Sequence, residues 1–165
     1  MPNWCQNEVR VYGETEDIQR FKEFVKSEVS DFSFNSILPS PKELKGFNAP
    51  AKIVSQEEYD KFKPEEVTKD NPFPIGKPMT RDMSNRFQRE YGFDNWYDWQ
   101  IKNWGTKWNI AETIVDEWDK DSLFYAFETA WSPPIGIYNE LKKLFPNLEI
   151  SWFYKEEDNQ LAGWL

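Results

Sequence analysis

The chain contains no histidine and a single cysteine among its 165 residues. Without an imidazole it lacks the commonest general base, nucleophile activator and zinc ligand. His-dependent triads, histidine-based metal sites and most nuclease chemistries are therefore excluded. An enzyme built from this sequence has to work with carboxylates, Lys, Tyr or Ser, and no cofactor signature is present. Cys5, being alone, cannot form an internal disulfide; it stands in the lead-in to a first strand and reads as a small buried hydrophobe. No apolar run approaches the ~20 residues needed to span a bilayer, and Met1-Pro2-Asn3-Trp4-Cys5 has neither a basic n-region nor an apolar h-region, so the expectation is a cytosolic protein without membrane contact. Positive charge is also short: 20 Lys and Arg face 29 Asp and Glu, a net charge of −9. That is the wrong sign for non-specific binding to a phosphate backbone, although a compact nucleotide in a local Arg/Lys pocket is still open.

What the chain has in quantity is tryptophan. Trp96, Trp99, Trp104 and Trp108, four of its nine, fall within thirteen residues, interleaved with amides and carboxylates. Each supplies a large flat apolar face and one N–H donor, so this density means an aromatic core or a platform for a planar ligand.

Periodicity gives a coarse map. Glu8 to Tyr12 alternates as a strand ended by Gly13, and a helix capped by Thr15 follows, with Ile18, Phe21, Val25 and Val29 on one face. Phe32, Phe34 and Ile37-Leu38 suggest a second strand, stopped by Pro39 and Pro41. Residues 39–78 hold seven of the eleven prolines and read as a long loop with a short helix from Gln56 to Phe62. A helix over Arg81–Tyr91 ends at Gly92; another lies between an Asp94 cap and Gly105, and a third is expected over about Ile110–Trp118. Leu123 to Trp131 alternates as a strand. Ser132-Pro133-Pro134 opens a helix with Ile137, Leu141, Leu144 and Phe145 as its buried stripe. Leu148 to Tyr154 is a further strand, and Glu157-Asp158-Asn159 turns it into a last one, Gln160–Leu165, inside which the chain stops, as a truncation near the C-terminus would leave it.

The order β-α-β, insertion, β-α-β with an extra strand implies an α+β protein: a ferredoxin-like antiparallel sheet with two helices on one face. The expectation is a single domain over 1–165, with a proline-rich and Trp-rich helical insertion over 39–118.

Two surfaces could carry function. Trp96, Gln100, Asn103 and Trp104 share one helical face with Trp99 beside them; rings next to amides can stack a base and read its edge, and they can equally pack a core. With Asn3, Trp4, Lys107, Trp108 and Trp131, and with Arg86 from the Arg81, Arg86, Arg89 cluster as an anion contact, they form the candidate ligand-binding set. The second surface is acidic: Glu112, Asp116, Glu117, Asp119, Asp121 and Glu128 face one Lys120. This is either a solvated turn or, through the first five of these acids, a contact for a basic partner. Asp94 and Asp98, four apart, could serve as an acid/base couple or hold Mg²⁺, but a helix cap and a first-turn acid explain them without chemistry.

The segments Pro2-Asn3-Trp4-Cys5 with Asn7, Gly92 to Tyr97, Trp104-Gly105-Thr106-Lys107-Trp108-Asn109, Thr129-Ala130-Trp131-Ser132-Pro133-Pro134 and Ala162-Gly163 resemble the YubB-like family of uncharacterised phage and plasmid proteins. The resemblance implies a ferredoxin-like domain and a mobile-element origin in a bacterial cytoplasm, and it brings no catalytic residues. Leu161 stands where that pattern has Phe. The leading expectation is a non-enzymatic counter-defence protein that sequesters a nucleotide-like signal or blocks a basic host protein. The alternatives are a carboxylate- and metal-dependent enzyme acting on a nucleotide or nucleic acid, and an accessory phage structural protein.

Overall fold

The computed structural model describes residues 3–64, 76–158 and 160–165, with residues 117 and 118 described by their backbone alone. Along the chain run β1 (Trp4–Tyr12), α1 (Thr15–Val25), α2 (Phe34–Ile37), β2 (Ile53–Val54), α3 (Gln56–Lys61), β3 (Met79–Thr80), α4 (Arg81–Tyr91), α5 (Trp96–Trp104), β4 (Thr113–Asp119), β5 (Ser122–Ala130), α6 (Ile135–Leu144), β6 (Glu149–Glu156) and β7 (Leu161–Trp164). They form two compact units, Met1–Pro39 with Ile101–Leu165, and Ser40–Gln100. Of the stretch expected as one insertion, residues 101–118 belong to the first unit.

The first unit is built on a five-stranded sheet in the order β4-β5-β1-β6-β7, antiparallel throughout. Without β7 this is the interleaved βαβ pair of a ferredoxin-like domain, with β1 between β5 and β6. Strict alternation in β1 explains its central place: Cys5, Asn7, Val9 and Val11 are buried and Trp4, Gln6, Glu8, Arg10 and Tyr12 face the other way. Register carries that alternation across the sheet, setting Gln6 opposite Glu128, Glu8 opposite Ala126 and Ile114 opposite Ala126. The helices cover the face of the odd-numbered β1 residues. Ile18, Phe21 and Val25 of α1 and Ile137 and Leu141 of α6 are buried there. Phe21 lies 6.3 Å from Tyr125, and Tyr138 6.1 Å from Trp152, ring centre to ring centre. Phe32, Phe34, Phe127 and Trp152 complete an aromatic core of edge-on and tilted pairs.

Several expected elements are corrected. The strand expected at Phe32–Leu38 is the short helix α2, in which Phe34 and Ile37 are both buried at the i, i+3 spacing of one helical turn. The helix expected at Ile110–Trp118 is instead β4, the strand that completes the first βαβ: Thr113-Ile114-Val115 is a β-branched run, and the acids after it sit on a strand at the sheet edge. Helix α1 ends at Val25, leaving Val29 92% exposed. Ser27 closes the chain on itself there: its N–H donates to the Ser30 carbonyl (2.8 Å) and its Oγ accepts from the Ser30 N–H (3.1 Å). Thr15 is the first residue of α1, and Glu14 occupies the cap position. Among the described residues no helix is long and apolar enough to cross a membrane.

The second unit is smaller. A parallel pair, β2 with β3, leads directly into α4, whose Thr80 cap accepts from the Met83 N–H at 3.3 Å. Phe47 and Phe87 pack at 5.6 Å. Helix α3 starts with a reciprocal capping box between Ser55 and Glu58. Residues 65–75 of the proline-rich stretch lie outside the described residues.

Candidate functional site

Three separated segments meet at one end of the sheet: the start of β1, the stretch after α5, and the turn after β5. Their convergence follows from a buried polar chain. Trp152 Nε1 donates to Asn7 Oδ1 (3.0 Å), and Asn7 Nδ2 donates to Thr129 Oγ1 (2.9 Å) and to the Cys5 carbonyl (2.9 Å). Thr129 Oγ1 donates to the Ser132 carbonyl (2.8 Å), and Ser132 Oγ to the Gly105 carbonyl (2.6 Å). Thr106 Oγ1 adds a bond to the Ala130 carbonyl at 2.9 Å. Asn7, Thr106 and Thr129 are all buried, so every one of these bonds except that from the half-buried Ser132 to Gly105 satisfies a group that water cannot reach.

Two backbone features sit in this network. Gly105 ends α5 at φ +93, as the Gly105 stop implies; a Cβ there would lie 2.9 Å from the Ile135 nitrogen. Trp131 has φ 70, a left-handed conformation that a bulky residue adopts only under constraint, at a cost of order 1–3 kcal/mol. The constraint is visible: its N–H donates to the Asn3 carbonyl (2.9 Å), and the Ser132 N–H donates to the Ala130 carbonyl (2.9 Å). Ser132 thus ties the turn to Gly105 instead of capping α6, whose cap position is Pro134.

The result is a cluster of exposed rings. Trp4 and Trp108 stand 6.2 Å apart with planes at 41°. The Lys107 ammonium lies 3.7 Å from the Trp108 ring centre and 4.0 Å from that of Trp131, a double cation–π contact. Burial pushes the Lys107 amine below its usual range, and among the described residues no carboxylate forms an ion pair with it. Trp4, Trp108 and Trp131 keep 45%, 39% and 42% of their surface exposed.

Beside these rings a cleft of about 750 Å³ opens over β1, β5 and the start of β4. Its walls include Trp4 and Trp108, the apolar Ile114 and Ala126, and Glu8, Glu112 and Glu128, with no Lys or Arg among the described residues that line it. Size and mixture suit a binding site, a mostly apolar concavity with a few polar groups. Its charge is of one sign. Glu8 is held by Arg10 at 2.8 Å, whereas Glu112 and Glu128 are exposed.

Of the residues expected to bind ligand, Asn3, Trp4, Lys107, Trp108 and Trp131 are brought together here, Asn3 through its backbone. Trp104 is not available: it is fully buried, 5.6 Å from Phe34, with its Nε1 donating to the Leu38 carbonyl (2.8 Å). Asn103 is half-buried and its carbonyl abuts Gly136. Arg86, Trp96, Trp99 and Gln100 belong to the second unit. There Arg86 is exposed on α4, with its guanidinium 4.8 Å from the Phe87 ring centre, and Trp96 stacks edge-on against Tyr97 at 5.8 Å. Trp99 is buried and Gln100 half-buried. Of the acidic set, Glu112, Asp116, Asp119 and Asp121 are exposed along β4 and its turn, and the side chain of Glu117 lies outside the described residues. Gln6, Glu8 and Ile114 line the cleft without having been singled out. Alternation in β1 could have found the first two, since they share the face of Trp4; Ile114 was hidden by reading its segment as a helix.

The carboxylates Asp94 and Asp98 are taken up by a cap. Asn95, not Asp94, caps α5: its Oδ1 accepts from the Asp98 N–H (2.9 Å) and its Nδ2 donates to Asp98 Oδ2 (2.8 Å). Asp94 accepts from Ser84 Oγ at 2.7 Å. Among the described residues no group of three or more His, Cys, Asp or Glu is placed to hold a metal ion.

A family model described as the ferredoxin-like domain in Api92-like protein matches residues 103–164, the stretch from the end of α5 through β7. The crystal structure of the protein api92 from Yersinia pseudotuberculosis superposes with a TM-score of 0.56 at 14% identity, covering 99% of this chain and 93% of that one. At that identity the likeness is one of fold. No curated protein matches the chain.

Proposed function

We propose that this chain is a non-enzymatic binding protein whose Trp4/Trp108 cleft receives a basic segment of a host protein. The observation that carries this reading is the composition of the cleft: two tryptophan faces and three carboxylates, with no cationic residue among the described residues of its walls. A guanidinium or ammonium gains there from ring faces and from charge, whereas a polyphosphate meets repulsion from Glu112 and Glu128, which unlike Glu8 are not held by Arg10, in a chain of net charge −9. The sequence resemblance to YubB-like proteins supports a phage or plasmid origin, and with it a counter-defence role in a bacterial cytoplasm. The api92 likeness supports the fold alone.

One observation favours a second reading, in which the rings hold a nucleotide-like signal. Lys107, between Trp108 and Trp131, is a cation with no carboxylate partner among the described residues, and a phosphate could claim it. The enzymatic alternative draws no support from Asp94, which accepts from Ser84 Oγ, or from Asp98, which accepts from the cap residue Asn95.

Tryptophan fluorescence titrations with an arginine-rich peptide and with a panel of linear and cyclic nucleotides separate the readings. The basic-segment reading expects saturable peptide binding that Glu112→Gln with Glu128→Gln weakens at least tenfold and that Lys107→Met does not weaken. Nucleotide binding abolished by Lys107→Met, with no response to peptide, would replace it with the second reading.

A further inference from the structure

Strand β4 lies at the edge of the sheet, and among the described residues its backbone pairing is with β5 alone. We propose that the basic segment binds as an additional β-strand on the free edge of β4, with its long cationic side chains reaching over Ile114 into the Trp4/Trp108 cleft. This rests on the basic-segment reading above and adds the mode of binding.

Three observations carry it. First, the edge and the cleft adjoin: Glu112, Thr113 and Ile114 line the cleft, and Thr113 and Ile114 begin β4. A strand added about 4.8 Å beyond β4 would turn alternate side chains toward the same face. Ile114 stands 69% exposed on that face, an apolar surface on which the stem of a Lys or Arg can lie while its head meets Glu112 or Glu128. Second, the charge of the edge selects the occupant. Asp116, Asp119 and Asp121 continue from Glu112, so two copies of β4 set side by side would oppose like charges, a device that keeps edge strands from pairing with themselves. A segment alternating Lys or Arg with β-branched residues meets the opposite condition. Third, the other edge is a poorer acceptor. Strand β7 has four residues, Leu161–Trp164, and no charge. On β4 the pairing with β5 is regular from Thr113 to Asp116 and shifts register before Asp119, so the acceptor stretch is Thr113–Asp116.

The test uses the full chain and an acetylated octapeptide of alternating arginine and valine, with an alternating glutamate–valine peptide as control. Binding is followed by calorimetry and amide hydrogen exchange is read residue by residue. Along an antiparallel pair, successive residues turn their N–H groups inward and outward by turns. Of Ile114→Pro and Val115→Pro, one therefore removes a donor from the free edge and the other a donor to β5. Strand addition predicts slowed exchange at outward amides within 113–116 on peptide binding, and at least tenfold weaker binding for the proline variant that keeps the wild-type melting temperature. Peptide binding that depends on Glu112 and Glu128, with no added protection in 113–116, would overturn strand addition and leave the cleft reading standing. No binding of the arginine–valine peptide, or equal binding of the control, would overturn both.

Discussion

Replacing Asn7 by Leu tests whether the buried polar chain fixes the candidate site. The two side chains are similar in shape, so the change removes hydrogen bonds with little change in volume. Asn7 is 1% exposed, and its loss leaves the Trp152 indole N–H without the acceptor it has at 3.0 Å and breaks the bonds to Thr129 and the Cys5 carbonyl. An orphaned buried donor costs about 1–3 kcal/mol and each further bond about 0.5–1.5 kcal/mol, which sums to about 4 kcal/mol. For a chain of this length that corresponds to a fall in Tm of about 8–16 °C. Urea denaturation followed by far-UV circular dichroism measures it. The decisive comparison is Asn7→Leu with Trp152→Phe: if the orphaned indole is the main cost, removing it recovers part of the loss, and the pair couples by about 1–2 kcal/mol. A loss below about 1 kcal/mol for Asn7→Leu, or strict additivity in the pair, would refute the network as the element that holds β1, β5 and β6 in place at this end.

Trp104→Ala should unfold rather than merely unbind the protein, costing about 3–5 kcal/mol as a buried aromatic, while Trp108→Ala costs under about 2 kcal/mol; parallel urea titrations compare them. Gly136→Ala would place a Cβ 1.8 Å from the Asn103 carbonyl oxygen, so a loss of about 3 kcal/mol or more is expected by the same measurement. Burial pushes the Cys5 thiol up to about 11 from 9.0. Because the folded state holds this proton more tightly than the unfolded one, the contribution to stability is complete below about pH 9 and lost as pH rises through about 11. Stability from pH 8 to 11 should therefore fall for the wild type more than for Cys5→Ala, and the native thiol should resist alkylation at pH 8.

Much of the sheet was legible because its strands are one-sided. Alternation in β1, β5 and β6 marks both the strand and the buried face, and α1 and α6 declare themselves by apolar spacing. The errors fell where a short run fits both periods. Phe32 and Phe34 alternate, yet Phe34 and Ile37 are buried one helical turn apart, with Phe34 against Phe127 and Trp104. Thr113 to Asp119 carries enough acid to resemble a solvated helix, and only its place beside β5 shows why acids suit it as a sheet edge. For the candidate site, the tryptophans from Trp96 to Trp108 divide between two environments that their density in sequence does not separate. Trp104 belongs to the core and Trp108 to the surface, a difference set by Gly105, whose left-handed turn redirects the chain between them. The meeting of Trp4, Trp108 and Trp131 depends on hydrogen bonds from Asn7, Thr129 and Ser132, which leave no periodic trace in sequence.

Binding of a cationic segment in the cleft beside Trp4 and Trp108 can be read ring by ring. The nine indole N–H groups make a direct map: a ¹H–¹⁵N spectrum resolves each, and a titration with the arginine–valine octapeptide reports which rings it touches. The Trp4 and Trp108 signals should move saturably while those of the buried Trp104 and Trp152 stay in place. Indole signals that respond to a nucleotide and not to the peptide, or peptide shifts that leave Trp4 and Trp108 unmoved, would contradict binding of that segment in the cleft.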